Sequence, residues 1–223
     1  LSRAMAAPRE EHLAQLKRLV RYLKGRPRCV IRYERQDARS ARLRVHTDSD
    51  WAREAVTRRS TSGMVIRRGS HLIRHSSALQ TCIGPSSAEA EYFGAMMATR
   101  ELIWLRDLLV DLGVKFGGPS VIWSDSKSAV NMALDPVAFK QTKHIMRAGW
   151  FLRDATDKGI VVLKHVPGRI MLADLLTKAV ARPLYLALLR IFDDYAVTGI
   201  VYPTDEPKIT VKDDTPNDVE VPA

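Results

Sequence analysis

The sequence predicts an α/β fold, a mixed sheet covered by helices, and three observations predict it. Three short runs rich in Val, Ile or Leu (Leu43 to Thr47, Gly63 to Ile66, Ser70 to Arg74) follow one another, broken by the polar stretch Arg58 to Ser62 and by Arg68-Gly69. They read as three antiparallel strands joined by turns. Two later runs, Val121 to Ser124 and Ile160 to His165, read as strands separated by stretches of helical periodicity. Strands in succession, then strands alternating with helices, suit a mixed sheet with helices packed on it.

Each element has a local cause. Arg9 to Lys24 sets Leu13, Leu16, Leu19, Val20 and Leu23 at helical spacing, with Lys17, Arg18, Arg21 and Lys24 on the other flanks, and Gly25 and Pro27 stop the run. The plain expectation is a basic amphipathic helix packed on the domain edge, its cationic side facing solvent or nucleic acid. After the three strands, Ser86-Ser87 offers an N-cap and Glu89 follows early. Apolar positions from Tyr92 through Leu109 then carry a long helix from near Ser87 to Gly113. Lys127 to Leu134 is a short helix stopped by Asp135-Pro136, and Thr142 to Lys158 a further one ending at Gly159. A last helix runs from near Met171 to about Phe192 with a break at Pro183. Three segments follow: 1–40 with the basic helix, 41–198 as the α/β domain, and 199–223 as an acidic, Pro-rich, disordered tail.

Charge points to a polyanionic partner. The 223 residues carry 35 Lys and Arg against 25 acids, a formal charge of +10. From Pro203 onward six acids face two lysines, so the tail holds −4 and the remainder +14. A basic face that is merely solvated is the blander reading. Cys29 and Cys82 lie far apart without CxxC spacing, which suggests neither a zinc site nor a disulfide framework, and a reducing compartment is the default. No apolar run reaches the roughly 20 residues that span a bilayer, and the first residues lack the apolar core of a signal peptide. The chain opens on Leu1 rather than Met, as a piece of something longer would.

Four carboxylates then stand out. Asp48 falls at the carboxyl end of the first strand, Asp125 at the end of the fourth, Glu91 about one turn inside the long helix, and Asp174 one turn inside the last. If the first and fourth strands are neighbours, their ends bring the two aspartates together, and helices on the sheet lower Glu91 and Asp174 onto the same spot. Gathering like charges costs several kcal/mol unless cations neutralise them, so such a cluster implies metal, and hard oxygen donors select Mg²⁺ or Mn²⁺. Taken singly each has a plainer role: Asp48 in a turn, Glu91 as an exposed helix charge, Asp125 as an N-cap, Asp174 as a first-turn charge favoured by the helix dipole.

Six motifs in order carry a resemblance. Asp48-Ser49-Asp50-Trp51-Ala52, Arg58-Arg59-Ser60-Thr61-Ser62-Gly63, Ser86-Ser87-Ala88-Glu89-Ala90-Glu91-Tyr92, Glu101-Leu102-Ile103-Trp104-Leu105-Arg106, Thr142-Lys143-His144-Ile145 and Ala173-Asp174-Leu175-Leu176-Thr177-Lys178 resemble the ribonuclease H region of copia-type retrotransposon Pol polyproteins. Residues His12 through Gly25 resemble the connection segment that follows the reverse transcriptase there. The resemblance implies a ribonuclease H-like fold, a five-stranded mixed sheet of three antiparallel then two parallel strands. It also implies hydrolysis of the RNA strand of an RNA/DNA hybrid with two Mg²⁺ ions, Mn²⁺ substituting.

By motif Asp48, Glu91, Asp125 and Asp174 match the catalytic, metal-binding carboxylates. Glu91 is preferred to Glu89 because larger and then small residues follow it, and Asp48 to Asp50 as the strand-end position. His165 is either a histidine that assists proton transfer or product release, or a strand-end surface residue. Ser86 and Ser87 are candidate sugar or phosphate contacts at a helix N-terminus, and Arg58, Arg59, Lys143, His144 and Arg147 candidate phosphate contacts. The implied partner beyond the hybrid is an upstream reverse transcriptase, and the implied location a cytoplasmic virus-like particle or the nucleus rather than secretion. Arg74 stands at the family's usual tryptophan, Gly84-Pro85 replaces apolar residues, and Trp150 stands at a usual histidine. A copy that keeps fold and charge as a silent nucleic-acid-binding module is the alternative reading.

Overall fold

In the computed structural model, residues 5–25, 33, 42–54, 56–69, 71–134 and 146–193 are described. Five strands form one sheet: β1 (Leu43–Asp50), β2 (Thr61–Arg68), β3 (His71–Leu79), β4 (Ser120–Ser124) and β5 (Val161–His165). Their order is β3-β2-β1-β4-β5, antiparallel from β3 to β1 and parallel from β1 through β4 to β5. This is the five-stranded mixed sheet that the resemblance implies, three antiparallel strands followed by two parallel ones. The first and fourth strands are neighbours, the condition on which convergence of the carboxylates depends.

Strand lengths differ on the two sides of β1. It pairs with β2 along its whole length, from Leu43 opposite Arg68 to Asp50 opposite Thr61, but with β4 only at Arg44, Val45 and His46. The last residues of β1 therefore run beyond β4 and leave a notch at the carboxyl ends of the parallel strands, where chain connections diverge to the two halves of the sheet. Open α/β sheets place their ligands at such points.

Helices cover both faces. On one, Leu43, Val45, Met64, Ile66, Ile122 and Leu163 pack against α2 (Ser87–Asp111), α3 (Lys127–Leu134) and α4 (Met146–Asp157) through Tyr92, Ala95, Leu102, Ala129 and Leu152. On the other, Val65 and Leu72 pack against Leu172 and Leu188 from a C-terminal segment. That segment comprises a 3-10 turn (Gly168–Ile170), α5 (Asp174–Thr177) and α6 (Arg182–Asp193). Two glycines allow close approach. A Cβ on Gly94 would lie 2.5 Å from Ser49 Oγ, and one on Gly63, which pairs with Asp48, would lie 2.8 Å from Thr177 Cγ2 and 2.9 Å from Leu176 Cβ. One helix is thus drawn onto each face at the level of Asp48.

Three expectations are corrected. The basic helix forms as α1 (Glu10–Gly25), but none of its residues is buried, so it does not pack on the domain edge among the described residues. Its described tie is a 3.0 Å hydrogen bond from Tyr185 Oη to Tyr22 Oη. The last helix is broken ahead of Pro183, between Thr177 and Arg182, and Pro183 lies in the first turn of α6, where its fixed φ and missing N–H cost nothing. The antiparallel strands run further than their apolar cores, β3 to Leu79, because backbone pairing with β2 continues through polar Ser76 and Ser77. The segment after Thr198 lies outside the described residues. Among those described, no helix is long and apolar enough to cross a membrane.

Candidate active site

The notch gathers acids from three elements. Asp48 on β1, Asp125 just past β4 and Asp174 opening α5 place carboxylate oxygens within 4.8 Å of one another. Asp48 and Asp174 are 1% and 4% exposed. Glu91, one turn into α2 and 7% exposed, meets Asp48 from the opposite face of the sheet and accepts the Ser49 backbone N–H. The plainer roles do not describe Asp48, Glu91 or Asp125. Asp48 lies in a strand, Glu91 is buried, and the cap of α3 is Ser126, whose Oγ accepts the Ala129 N–H at 3.2 Å. Asp125 is thereby free of capping. Asp174 does lie in a first turn, with its carboxylate in the cluster.

Burial dominates the electrostatics. It raises Glu91 to about 9, with the charges of Asp48 and Asp125 adding to the rise and the Ser49 N–H opposing it. It raises Asp174 to about 6, against the hydrogen bond from Lys178. It raises Asp125 too, reinforced by Asp48 and opposed by Lys178 and His165. Positive charge offsets the burial of these acids only in part, and Glu91 Oε2 is buried without a hydrogen-bond partner among the described residues. A set of converging oxygen donors in that state fits divalent magnesium or manganese.

The positive charge among them comes from Lys178, absent from the expected site. Its Nζ lies 2.8 Å from Asp174 Oδ1 and 3.3 Å from Asp48 Oδ1. Burial alone would lower the ammonium, but the hydrogen bond to Asp174 and the charge of Asp48 outweigh it and hold the group above the ordinary lysine range. Thr177 Oγ1 donates to Asp48 Oδ2. Both residues stand in the Ala173 to Lys178 motif, and the helical spacing of Asp174 and Lys178 was the signal available for the pair.

A buried polar brace lies beneath the site. Gln80 Nε2 donates to Ser62 Oγ and to the Ala90 carbonyl, both at 2.8 Å, and Ser62 shares a 2.8 Å hydrogen bond with Ser49. The brace ties β1 and β2 to the first turn of α2, which carries Glu91. Asp50, the rejected alternative to Asp48, accepts the Thr61 backbone N–H, and the backbone N–H of Glu89 donates to the cap hydroxyl of Ser86.

The expected substrate contacts are divided. Ser86, Ser87, Arg58, Arg59 and His165 all lie at the cluster's end of the sheet. Ser86 caps α2 and Ser87 is exposed beside it. Arg58 and Arg59 are exposed on the turn between β1 and β2, where Arg58 adopts φ 55°. His165 is exposed at the end of β5, near enough for its charge to act on Asp125. Lys143 and His144 lie outside the described residues. Arg147 stands on α4, its side chain likewise outside them.

The departures from the motif pattern have local partners. Arg74 pairs with Glu101 of α2 at 3.2 Å, and the Gly84 carbonyl accepts from Trp51 Nε1 at 2.9 Å.

No protein-family model matches the chain. It is 36% identical over 182 residues to the retrovirus-related Pol polyprotein from transposon RE1 of Arabidopsis thaliana, covering 82% of this chain and 12% of that protein. It is 32% identical over 183 residues to the corresponding polyprotein from transposon TNT 1-94 of Nicotiana tabacum, covering 82% and 13%. The chain thus spans only about an eighth of the length of these curated relatives. Among solved structures it is similar to the RNase H1 of Halobacterium salinarum NRC-1, at 16% identity and a TM-score of 0.44 over 61% of this chain and 94% of that one. By sequence, the chain belongs to the family of retrovirus-related Pol polyproteins from copia-type transposons.

Proposed function

We propose that this chain is the ribonuclease H part of such a polyprotein, an endonuclease that hydrolyses the RNA strand of RNA/DNA hybrids during reverse transcription. The observation that carries the reading is the convergence of Asp48, Asp125 and Asp174 within 4.8 Å, with Glu91 against Asp48, at a sheet-end notch in a basic chain. Asp48, Glu91, Asp125 and Asp174 would hold two Mg²⁺ ions, or Mn²⁺. Bound there, the ions supply activation of water and stabilisation of the leaving oxygen.

The chain's own residues do the rest. The brace of Ser49, Ser62 and Gln80 fixes β1 against α2, so Asp48 and Glu91 keep their spacing. His165, at the rim beside Asp125, holds or passes a proton at the open side of the notch. Arg58 and Arg59 meet backbone phosphates, and Ser86 and Ser87 meet sugar or phosphate at the α2 N-terminus. An upstream reverse transcriptase would deliver the hybrid.

The test is incubation of the purified chain with a labelled RNA/DNA hybrid and Mg²⁺ or Mn²⁺, beside Asp125→Asn and duplex DNA controls. Metal-dependent cutting of the RNA strand alone, lost in the variant, is the expected result. Salt-sensitive binding without cutting by this chain or by one joined to its polymerase would instead identify a silent binding module.

A further inference from the structure

The carboxylate cluster already contains a cation of its own. Lys178 follows α5 at its C-cap, in an extended conformation (φ −140°, ψ 154°), with its side chain about one-third exposed. Its ammonium bridges two acids from distant parts of the chain, Asp174 at 2.8 Å and Asp48 at 3.3 Å. Both oxygens of Asp48 already have a partner in the metal-free chain. Oδ1 faces Lys178 and Oδ2 accepts from Thr177. A divalent ion entering between Asp48 and Asp174 meets the ammonium that already bridges them, and of the two partners of Asp48 the threonine is the more confined. Its methyl lies against Gly63, and its hydroxyl is also 3.4 Å from the Ala173 carbonyl. Lys178 has a flexible four-carbon stem and a route to solvent, while its backbone N–H stays bonded to the Asp174 carbonyl at 3.2 Å.

We propose that the Lys178 ammonium is the resident counter-ion of the metal site: it holds Asp48 and Asp174 together in the metal-free chain, swings out when a divalent ion enters, and so sets the ion's affinity. Lys178 is then a positioning residue. The proposal rests on the metal-site reading above and adds a competitor to it. Removing the ammonium has two opposed effects. The metal-free fold loses the partner of two buried carboxylates, and the incoming ion no longer has to break an ion pair.

The test is calorimetric titration of the full chain with Mg²⁺ or Mn²⁺ alone, without nucleic acid, together with thermal unfolding in EDTA. Lys178→Met should bind the ions about tenfold more tightly or better, melt several degrees lower in EDTA, and regain most of that loss with saturating ion. Lys178→Arg, which keeps a charge, should stay near wild type in EDTA. Wild type also gives a measurement independent of any variant's folding. The Lys178 ammonium protons, held between two carboxylates, should give a protected NMR signal in EDTA that disappears as Mg²⁺ is added. If wild type binds ions while Lys178→Met binds them no more tightly, or if the ammonium signal survives saturation, the proposal fails and the metal site stands. If neither chain binds either ion, the metal-site reading falls and the proposal falls with it.

Discussion

His46 and Asp48 sit two residues apart on the same face of β1, 7% and 1% exposed, and the chain meets burial at the two places in opposite ways. At His46 burial and the charges of Arg67 and Arg44 push the imidazole down to about 3, so the group is neutral in ordinary solution. The cost is avoided by giving up a proton. Around Asp48 that route is incomplete. Glu91 keeps its proton to about 9 and Asp174 to about 6, and one lysine is shared by Asp48 and Asp174. A buried histidine that discharges fully fits a structural role, whereas a cluster of acids that discharges only in part is poised for a cation.

The largest expected effect on stability breaks the geometry at the acidic end. Gly94→Ala would place a Cβ where Ser49 Oγ stands, so α2 must lift from β1. We expect a loss of about 1–3 kcal/mol in urea unfolding, with weaker metal binding because Glu91 moves relative to Asp48. A matching substitution at exposed Gly117, where a Cβ meets nothing within 4 Å, should change neither.

The pH response should separate the two regions by sign. A carboxyl raised in the fold retains its proton while the unfolded chain has lost it. Metal-free stability therefore falls as pH rises from the unfolded values near 4 toward 9, through Asp174 and then Glu91. His46 does the reverse, resisting protonation in the fold and losing stability as pH falls from 6.5 toward 3. Melting temperatures in EDTA across pH should show both limbs. Glu91→Gln should flatten the alkaline limb, His46→Phe the acid one, and Mg²⁺ the alkaline limb alone. An alkaline limb unchanged by Glu91→Gln would contradict the electrostatic account.

The smallest effect lies at the rim. Arg58→Ala with Arg59→Ala should weaken hybrid binding about equally for every sequence and reduce the slope of log affinity against log salt by about one for each phosphate no longer neutralised. An unchanged slope would assign both arginines to solvent.

What the sequence revealed depended on how local the cause was. The five strands, the long helix and its Ser86 cap follow from short patterns, and Asp48, Glu91, Asp125 and Asp174 follow from motifs set on those elements. Pro183 was misread because a proline in the first turn of a new helix looks, in a periodic stretch, like a break within an old one. The roles of Thr177 and Lys178 could not be read because each contacts Asp48 across about 130 residues of chain. The same holds for Gly63 and Gly94, whose small size matters only once a helix lies over each. The neutral state of His46 was equally invisible, since it depends on Arg67 from a neighbouring strand.

The most direct test of the central claim is anomalous diffraction from crystals of the chain soaked in Mn²⁺. The account predicts two manganese peaks in the notch, contacted by Asp48, Glu91, Asp125 and Asp174, with the Lys178 ammonium moved away from Asp48 Oδ1. Manganese bound elsewhere, with the notch still closed by Lys178, would contradict it.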